Sequence, residues 1–254
     1  MPFSVKPWRH RMPPRRRADI VLVERGLFES RAKAQAAIAA GLVHAGGIPV
    51  RKASEPIAAD AAISAEPAFR WVSRGGVKLD HALDRTGLAV ADRICLDVGA
   101  STGGFTQVLL ARGARCVYAV DVGRGQLHQK LRDDARIVSI EATDIRSLDP
   151  RVLAERPDIV TIDVSFISLR LVLGPALAFV RRPAHLLALV KPQFEAPRER
   201  IKKGIVREPA VHRAICDEIA DFTASLGCID IAIFPSPIDG ADGNREFFIG
   251  AELG

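Results

Sequence analysis

From about residue 90 onwards, short apolar segments alternate with stretches of helical pattern, and this alternation limits the possible folds more than any other feature of the chain. The first five predicted strands are almost entirely apolar, which is typical of central strands that are covered on both faces. We therefore predict a doubly wound α/β sheet, in which the last two strands form an antiparallel pair at one edge. The predicted strands are Ile94 to Val98, Cys116 to Val120, Ile137 to Ile140, Ile159 to Asp163, Leu186 to Val190, Ile229 to Phe234 and Phe247 to Ala251.

The earlier part of the chain follows a different pattern, that of a small α+β binding module at residues 18–68. It predicts two helices, Asp19 to Arg25 and Arg31 to Ala40, with Ser30 as the N-cap of the second. A hairpin that turns at Gly46-Gly47 and one more short strand follow. Such a unit is too small to enclose an active-site cleft, so we assign the chemistry to residues 73–254 and place a linker at 69–72.

The net charge of +6 comes entirely from residues 1–17, which carry six basic groups and no acid. Residues 18–72 and 73–254 each carry equal numbers of acidic and basic groups. A short basic arm either contacts phosphate or is a solvated tail, and its Pro- and Arg-rich composition predicts disorder.

The sequence argues against export and membrane insertion. The longest clean apolar run, Leu171 to Val180, is interrupted by Gly174 and Pro175, whereas a spanning helix needs roughly 20 apolar residues. The basic N-terminus lacks the apolar run of a signal peptide, and the four cysteines have no CxxC spacing. We expect a cytoplasmic protein with reduced cysteines and without a metal site.

A glycine-rich turn, DVGASTGGFT, follows the first strand of the sheet and leads into a helix. Glycines here let the backbone approach a ligand, and Asp121 after the next strand can accept the two hydroxyls of an adenosine ribose. A dinucleotide signature needs a second glycine where this chain has Ser101, and Asp97 would repel a diphosphate. The turn therefore favours S-adenosylmethionine, whose amino-acid end carries an ammonium and a sulfonium.

The residues that we predict to bind this cofactor lie in the glycine-rich turn and after the next two strands. Asp144 follows the third strand and has two interpretations, a hydrogen bond to the adenine amino group or the N-cap of a helix. The predicted set is Asp97, Gly99, Ser101, Thr102, Gly103, Gly104, Phe105, Asp121 and Asp144.

Four charged residues form a second constellation. Asp163 ends the fourth strand and Lys191 follows the fifth, so both project from the carboxyl edge of the sheet, where ligands of doubly wound folds bind. Glu246 begins the last strand, and Lys78 lies in SRGGVKLDHAL before the first. A lysine between carboxylates and a second lysine can have a depressed or coupled pKa, which would suit it to assist a ribose hydroxyl.

These stretches together resemble a known family. RADIVLVERGLFESRAKAQAAIAAG is similar to an S4 RNA-binding domain, whereas FRWVSRGGVKLDHAL, LDVGASTGGFT, TIDVSFISL, VKPQFE and SPIDGADGNREFF resemble an FtsJ-like 2′-O-methyltransferase domain. Their combination is that of the TlyA-type proteins, historically labelled haemolysins. It is specific, although no single stretch is, and it covers nearly the whole chain after residue 17.

The resemblance implies a Rossmann-like S-adenosylmethionine methyltransferase fold behind a small S4 domain. It also implies 2′-O-methylation of a cytidine in ribosomal RNA, so that the partner is ribosomal RNA or a ribosomal subunit. The family's K-D-K-E tetrad falls on Lys78, Asp163, Lys191 and Glu246, and Phe69 to Val72 matches its interdomain linker. We expect the target nucleotide to be drawn out of the RNA, and Lys191, held by Asp163 and Glu246, to take the 2′-hydroxyl proton while Lys78 holds the carboxylates and the sugar or phosphate.

Candidate RNA contacts lie in both units. The S4-like unit has Arg31 and Lys33 on its second helix and Arg51-Lys52 after the hairpin. In the larger unit, RERIKKGIVR places Arg198, Arg200, Lys202 and Lys203 just after the Lys191 strand, in a loop suited to gripping phosphate. A solvated loop is the alternative.

Three other functions remain open at this point. A nicotinamide oxidoreductase accounts for the glycines and Asp121 but leaves the four charged residues unexplained, and calorimetry with NADH against S-adenosylmethionine would separate the two. An RNA-binding or ribosome-assembly factor with little or no methyltransferase activity is the second. A membrane-active haemolysin has only the old family label in its favour. The sequence does not reveal the oligomeric state.

Overall fold

The computed structural model describes residues 14–240 and 243–254, so residues 1–13 of the predicted disordered tail lie outside the described residues. The chain divides into two compact units, and the boundary falls between Arg70 and Trp71. That boundary lies within the segment 69–72 that we predict as a linker.

In the N-terminal unit, two helices pack against two small sheets, and the predicted helices are confirmed to within one residue. Ser30 caps the second helix by accepting a hydrogen bond from the backbone N–H of Lys33. Small and branched apolar residues, including Leu22 and Val43, form the hydrophobic core of the unit. Its elements are β1 (Arg15–Arg17), α1 (Ala18–Glu24), α2 (Arg31–Ala39), β2 (Val43–Ala45), β3 (Ile48–Pro49), β4 (Pro56–Ala58) and β5 (Ile63–Ala65).

The structure differs from the predicted tail at its last three residues. Arg15–Arg17 form β1, which pairs antiparallel with Pro56–Ala58 of β4. Arg16 forms an ion pair with Glu24, and Arg17 forms one with the buried Asp19. These arginines are held by carboxylates that lie farther along the chain, and a count of basic residues cannot reveal such pairing.

The larger unit is the predicted doubly wound sheet. Its elements are α3 (Arg74–Thr86), β6 (Ile94–Val98), α4 (Gly104–Ala111), β7 (Cys116–Val120), α5 (Gln129–Arg132), β8 (Ile137–Ile140), β9 (Ile159–Ile162), α6 (Leu173–Leu177), β10 (Ala184–Val190), α7 (Pro192–Glu195), α8 (Pro209–Ser225), β11 (Cys228–Pro235) and β12 (Phe247–Leu253). The seven strands lie in the order β11-β12-β10-β9-β6-β7-β8, and the five from β10 to β8 are parallel.

The antiparallel strands lie at one edge of the sheet, as predicted, but the sequence does not indicate the order of the strands there. β12 runs antiparallel to both β10 and β11 and lies between them, so β11 is the outermost strand. This insertion brings the first residue of β12, Phe247, opposite the last residue of β10, Val190. The residues just outside these two strands, Glu246 and Lys191, are therefore brought to the carboxyl edge of the parallel strands.

Helix α3 approaches that same edge with its N-terminal half, because glycines remove side chains where it packs. A Cβ on Gly76 would collide with the side chain of Trp71, and a Cβ on Gly104, at the start of α4, would collide with Ser73. The backbone N–H of Val72 also donates to the side-chain oxygen of Gln107 on α4 at 2.6 Å. The close packing directs Lys78, which is 7% exposed, into the domain.

Candidate functional site

A cavity of about 340 Å³ opens at the carboxyl ends of β6, β7 and β9. Five of the predicted cofactor and catalytic residues line it: Gly99, Ser101, Asp121, Asp144 and Asp163. Its other walls come from residues that we did not single out, mostly small and apolar: Val98, Val120, Val122, Gln126, Thr143, Ile145, Val164, Ser165, Phe166, Ile167 and Val172. The cavity therefore forms where the topology predicts a ligand.

Gly99 has a backbone geometry that no larger residue fits. Its φ is +81°, and a Cβ at this position would lie 2.5 Å from the backbone oxygen of Asp163. The turn after β6 and the end of β9 thus approach each other through the missing side chain. This contact sets the position of the Asp163 backbone beside the turn.

Ser101 occupies the position where a dinucleotide signature has glycine, and it adopts a glycine-like conformation with φ of 47°. Two hydrogen bonds hold it there. Its backbone N–H donates to Asp121 Oδ2 at 2.8 Å, and its hydroxyl donates to Gln126 Oε1 at 3.0 Å. The serine therefore links the glycine-rich turn to the loop after β7.

Asp121 and Asp144 lie at the cavity with part of their hydrogen-bonding capacity already used. Asp121 accepts from the backbone N–H groups of Ser101 and Gly123, one on each oxygen. Because each carboxylate oxygen can accept two hydrogen bonds, Asp121 still offers an acceptor site on each. Asp144 caps a short 3₁₀ turn by accepting from the backbone N–H of Arg146, whose guanidinium holds the pKa of Asp144 below its usual range.

The remaining residues of the glycine-rich turn support the site from behind and do not line the cavity. A Cβ on Gly103 would collide with Leu131, and the Phe105 ring stacks on Phe248 at 6.2 Å. The carbonyl of Thr102 accepts a hydrogen bond from the backbone N–H of His128. A role for these residues in cofactor binding thus stays a prediction, and their contacts are those of a scaffold.

Asp97 is completely buried and is not among the residues that line the cavity. Its Oδ2 accepts from the Thr106 hydroxyl at 2.6 Å, and its Oδ1 accepts from the Thr161 hydroxyl at 3.0 Å. Burial raises the pKa of Asp97 to about 7, against the opposing effect of these two hydroxyls. A direct contact with the cofactor's ammonium stays a prediction, whereas the bonds to β9 and α4 make Asp97 an anchor of the turn.

Replacing Asp97 by asparagine is expected to remove a pH dependence of stability. Because the folded pKa is raised above the unfolded value of about 3.9, the protonated form favours folding, and this contribution is lost as the pH rises from about 4 to about 7. An amide does not titrate, so Asp97→Asn should not share this loss. The free energy of unfolding of the variant should therefore increase relative to that of the wild type over this pH interval. Urea denaturation at pH 5 and pH 8 measures the difference, and a constant difference would contradict the prediction.

The four predicted catalytic residues lie at the same edge of the sheet, arranged as two ion pairs. Lys191 Nζ lies 2.6 Å from Asp163 Oδ1, and Lys78 Nζ lies 2.5 Å from Glu246 Oε2. Three of the four are less than 9% exposed, Lys78, Lys191 and Glu246. Paired charges that are this well buried keep defined positions, since separating them would leave an uncompensated charge in the protein.

The pairing differs from the prediction in one respect. We expect Lys191 to be held by both Asp163 and Glu246, whereas Glu246 pairs with Lys78. The physical reason is that α3 inserts Lys78 beside the start of β12. The second partner of Lys191 is a residue that sequence reasoning missed, Ser165, whose hydroxyl accepts from Lys191 Nζ at 2.9 Å.

Two phenylalanines beside these pairs were also missed. Phe166 is 91% exposed and has a φ of 66°, a combination that a bulky residue rarely adopts without a reason. Its ring lies 5.1 Å from that of Phe194 on α7. Both follow a predicted catalytic residue by three positions, in DVSF and KPQF, and this shared spacing is the signal that could have identified them.

Comparison with known families identifies the family to which this chain belongs. A family model described as FtsJ-like methyltransferase matches residues 71–253, and one described as S4 domain matches residues 16–63. The chain belongs to the FtsJ-like methyltransferase family. An S4 domain precedes its FtsJ-like domain, so the combination that the sequence motifs predict is confirmed.

Similar proteins match this chain over most of their length. The chain is 42% identical to the 16S/23S rRNA (cytidine-2′-O)-methyltransferase TlyA of Mycobacterium tuberculosis, over 94% of this chain and 90% of that protein. It is 38% identical to hemolysin A of Brachyspira hyodysenteriae, over 91% of this chain and 97% of that protein. A solved structure of a haemolysin-type protein from Streptococcus thermophilus is 42% identical, with a TM-score of 0.75 over 94% of this chain and 89% of that one. The resemblance to TlyA-type proteins is therefore confirmed.

The haemolysin label raises the question of a membrane-spanning element. Among residues 14–240 and 243–254, no helix of the FtsJ-like or S4 domain is long and apolar enough to cross a bilayer.

In the S4 domain, the predicted RNA-binding residues of α2 are already paired with carboxylates, and Arg31 is exposed whereas Lys33 is half-buried. Arg31 donates to the buried Asp19, which Arg17 and Gln35 also contact, and Lys33 forms an ion pair with Glu29. A shared buried carboxylate fixes both guanidinium groups at the surface. Arg51 and Lys52 are exposed as well, and their backbone N–H groups donate to Glu55.

In the FtsJ-like domain, the predicted basic loop is exposed and ordered by its own backbone. Arg198 and Arg200 lie in a short 3₁₀ turn, and Arg200 lies 3.5 Å from Glu208. Lys202 and Lys203 follow in a tight turn with exposed side chains. Their roles in RNA binding stay predictions.

Proposed function

We propose that this protein is an S-adenosylmethionine-dependent methyltransferase, which methylates the 2′-hydroxyl of a cytidine ribose in ribosomal RNA. The observation that carries the proposal is the position of Asp163, which lines the cavity and is paired with Lys191. A cofactor pocket and a proton-handling lysine thus meet at one carboxylate. TlyA of M. tuberculosis, similar along 94% of this chain, carries the same activity in its name.

The cavity fits the cofactor in both shape and chemistry. The close approach of Gly99 to the backbone of Asp163 places the glycine-rich turn at the cavity, and Asp121 has free acceptor sites for the ribose hydroxyls. Ile145 and Val164 supply apolar walls for the adenine. When bound, S-adenosylmethionine supplies a methyl group that its sulfonium activates. Once the ribose oxygen has taken this methyl group, S-adenosylhomocysteine is the product that remains.

The two ion pairs have different roles in the reaction. Lys191 in its amine form accepts the proton of the 2′-hydroxyl, and Asp163 stabilises the resulting ammonium at 2.6 Å. Ser165 fixes the direction of the Lys191 side chain. Lys78 uses one N–H on Glu246 and has two further donors for the sugar or its phosphate. Holding these groups in place supplies much of the rate acceleration.

The exposed phenylalanines suit a nucleotide that has been drawn out of its stack. Removing a base from its stack costs a few kcal/mol of free energy, and stacking it on an aromatic side chain recovers about 1–3 kcal/mol. Phe166 presents its ring to solvent three residues after Asp163, next to Phe194. We therefore assign the base of the target nucleotide to this pair of rings.

Charge reversal at Lys202 and Lys203 together is expected to weaken RNA binding and to flatten its salt dependence. Each lost phosphate contact lowers the slope of log K against log salt by about 0.7 for single-stranded RNA. Fluorescence anisotropy at several KCl concentrations measures the slope. Arg151→Glu is the control for one charge reversal elsewhere on the domain, since its side chain is 89% exposed and pairs with Asp149. An unchanged slope in the double variant would remove these lysines from the RNA interface.

The proposed function itself is tested with the purified protein, methyl-labelled S-adenosylmethionine and ribosomal subunits. We expect label in ribosomal RNA and, on mapping, a 2′-O-methylated cytidine that is lacking in RNA from a deletion strain. Tight RNA binding without any transfer of label would identify an RNA-binding or assembly factor instead. A ribosomal substrate would place the protein in the cytoplasm.

A further inference from the structure

The basic turn Lys202-Lys203-Gly204-Ile205 is a tight hairpin with a defined conformation. The backbone N–H groups of Lys202 and Ile205 each donate to the other's carbonyl, at 3.0 and 3.1 Å. Lys203 and Gly204 have φ of 51° and 76°, the two positive values that a type I′ turn requires. Since both lysine side chains are exposed, the turn presents two ammonium groups at a fixed place.

The buried side chain of Asn244 ties this basic turn to the segment that leads through Glu246 into β12. Its Nδ2 donates to the carbonyl of Gly204 at 2.9 Å, and its Oδ1 accepts from the backbone N–H of Val206 at 3.2 Å. Asn244 is 2% exposed and lies two residues before Glu246. Because the amide uses its oxygen and its nitrogen on the same arm of the turn, the turn and Asn244 move together or separate at the cost of two buried hydrogen bonds.

His212 on α8 makes a second connection between the same two segments. Its Nε2 lies 2.9 Å from the carbonyl oxygen of Val206, and it carries the proton because a carbonyl only accepts. Its ring also packs against Phe247, with the centroids 5.6 Å apart. Phe247 directly follows Glu246, so the basic turn is linked to the chain on both sides of this carboxylate.

Glu246 is itself closely enclosed, so a displacement of its backbone would reach the ion pair. Its Oε2 lies 2.5 Å from Lys78 Nζ, and Gly240 packs so tightly against Oε1 that a Cβ there would collide with it. The backbone oxygen of Glu246 also accepts from the N–H of Ser236. A shift at Asn244 therefore changes the position of the Lys78–Glu246 pair.

We propose that Asn244, together with His212, is a positioning residue that couples phosphate contact at Lys202 and Lys203 to the alignment of Lys78 and Glu246. The inference rests on the proposed function and deepens it. RNA held by the two lysines restrains the basic turn, and the turn restrains Glu246 through Asn244. The enzyme thus reaches its full rate only on an RNA whose backbone engages this turn.

A double-mutant cycle between Asn244→Ala and the pair Lys202→Ala/Lys203→Ala tests the coupling. The measurements are the dissociation constant for RNA and the single-turnover rate at saturating RNA. We expect the lysine variant to lose about tenfold in both, and Asn244→Ala to lose about tenfold in rate while its RNA affinity stays within about threefold. The triple variant should react no more slowly than Asn244→Ala, because the signal from the lysines is already interrupted. Multiplying rate losses would assign Asn244 a purely structural role and overturn the proposal.

Hydrogen exchange gives a readout that does not depend on methyl transfer. Adding RNA to the wild type should slow exchange of the amides at 244–248, and this slowing should vanish in Asn244→Ala. Where that variant fails to fold, His212→Phe keeps the ring on Phe247 and loses the donor, whereas His212→Gln keeps a donor. The phenylalanine variant should lose the slowing and the glutamine variant should retain part of it, and equal slowing in both would overturn the proposal. If the wild type transfers no methyl group to ribosomal RNA, the proposed function fails, and the exchange experiment still decides the coupling.

Discussion

Replacing Lys191 by arginine is expected to lower the single-turnover rate of RNA methylation by about 100-fold or more, the range that a general base contributes. Arginine keeps the positive charge beside Asp163, so the ion pair at this buried position is preserved. A guanidinium is always protonated in proteins and cannot take the 2′-hydroxyl proton. The affinity for S-adenosylmethionine should stay within a few-fold, since Lys191 is not among the residues that line the cavity.

The comparison with Lys191→Ala separates proton transfer from charge. Alanine leaves Asp163 without its partner and should also destabilise the protein, because it leaves an uncompensated carboxylate whose side chain is only 20% exposed. Arginine should therefore restore the melting temperature without restoring the rate. Lys130→Arg makes the same exchange on an exposed helix of the same domain and should leave both quantities unchanged. Turnover of Lys191→Arg near the wild-type rate would exclude Lys191 as the proton acceptor.

Gly99→Ala is expected to abolish cofactor binding at the concentrations that saturate the wild type. The new Cβ would lie 2.5 Å from the backbone oxygen of Asp163, a distance that real Cβ atoms do not adopt, so the end of β9 must move. The left-handed backbone adds a strain of about 1–2 kcal/mol. Both effects act on the cavity, and the shift of Asp163 also acts on Lys191. Isothermal titration calorimetry with S-adenosylmethionine measures the loss.

Gly87→Ala is the matched control for this prediction. Gly87 ends α3 with a φ of 66°, close to that of Gly99, and a Cβ there would meet nothing within 4 Å. It should therefore show the backbone strain alone, as a lower melting temperature with unchanged cofactor affinity. Equal losses of affinity in the two variants would mean that backbone strain, and not contact with Asp163, explains the Gly99 result.

Much of the fold could be predicted from the chain because its strands are local features. Ile94–Val98, Cys116–Val120 and Ile137–Ile140 begin and end where the apolar runs do. Ser30 acts as the predicted cap, since a cap depends on residues only three positions apart. The insertion of β12 between β10 and β11 was not predictable, because strand order depends on which sheet edges are free to pair.

The sequence predicts which residues form the candidate site better than it predicts the contacts between them. The residue types around Lys78, Asp163, Lys191 and Glu246 indicate the chemistry, and the topology brings their strands to one edge. Which lysine pairs with which carboxylate depends on side chains from α3 and β12, far apart in the chain. Ser165 and Asn244 were missed for the same reason: each acts on a partner more than 25 residues away.

The sequence by itself determined the two-part organisation, the parallel sheet, the glycine-rich turn and the four charged residues, because each depends on residue type and short-range spacing. Only the tertiary structure decided that Asp97 is a buried anchor, that the four charges form two separate pairs and that Asn244 joins the basic turn to Glu246. Those outcomes depend on burial and on hydrogen bonds between distant segments. Both arise when the chain packs, since packing removes polar groups from water and leaves them to bond with whatever the fold has brought beside them.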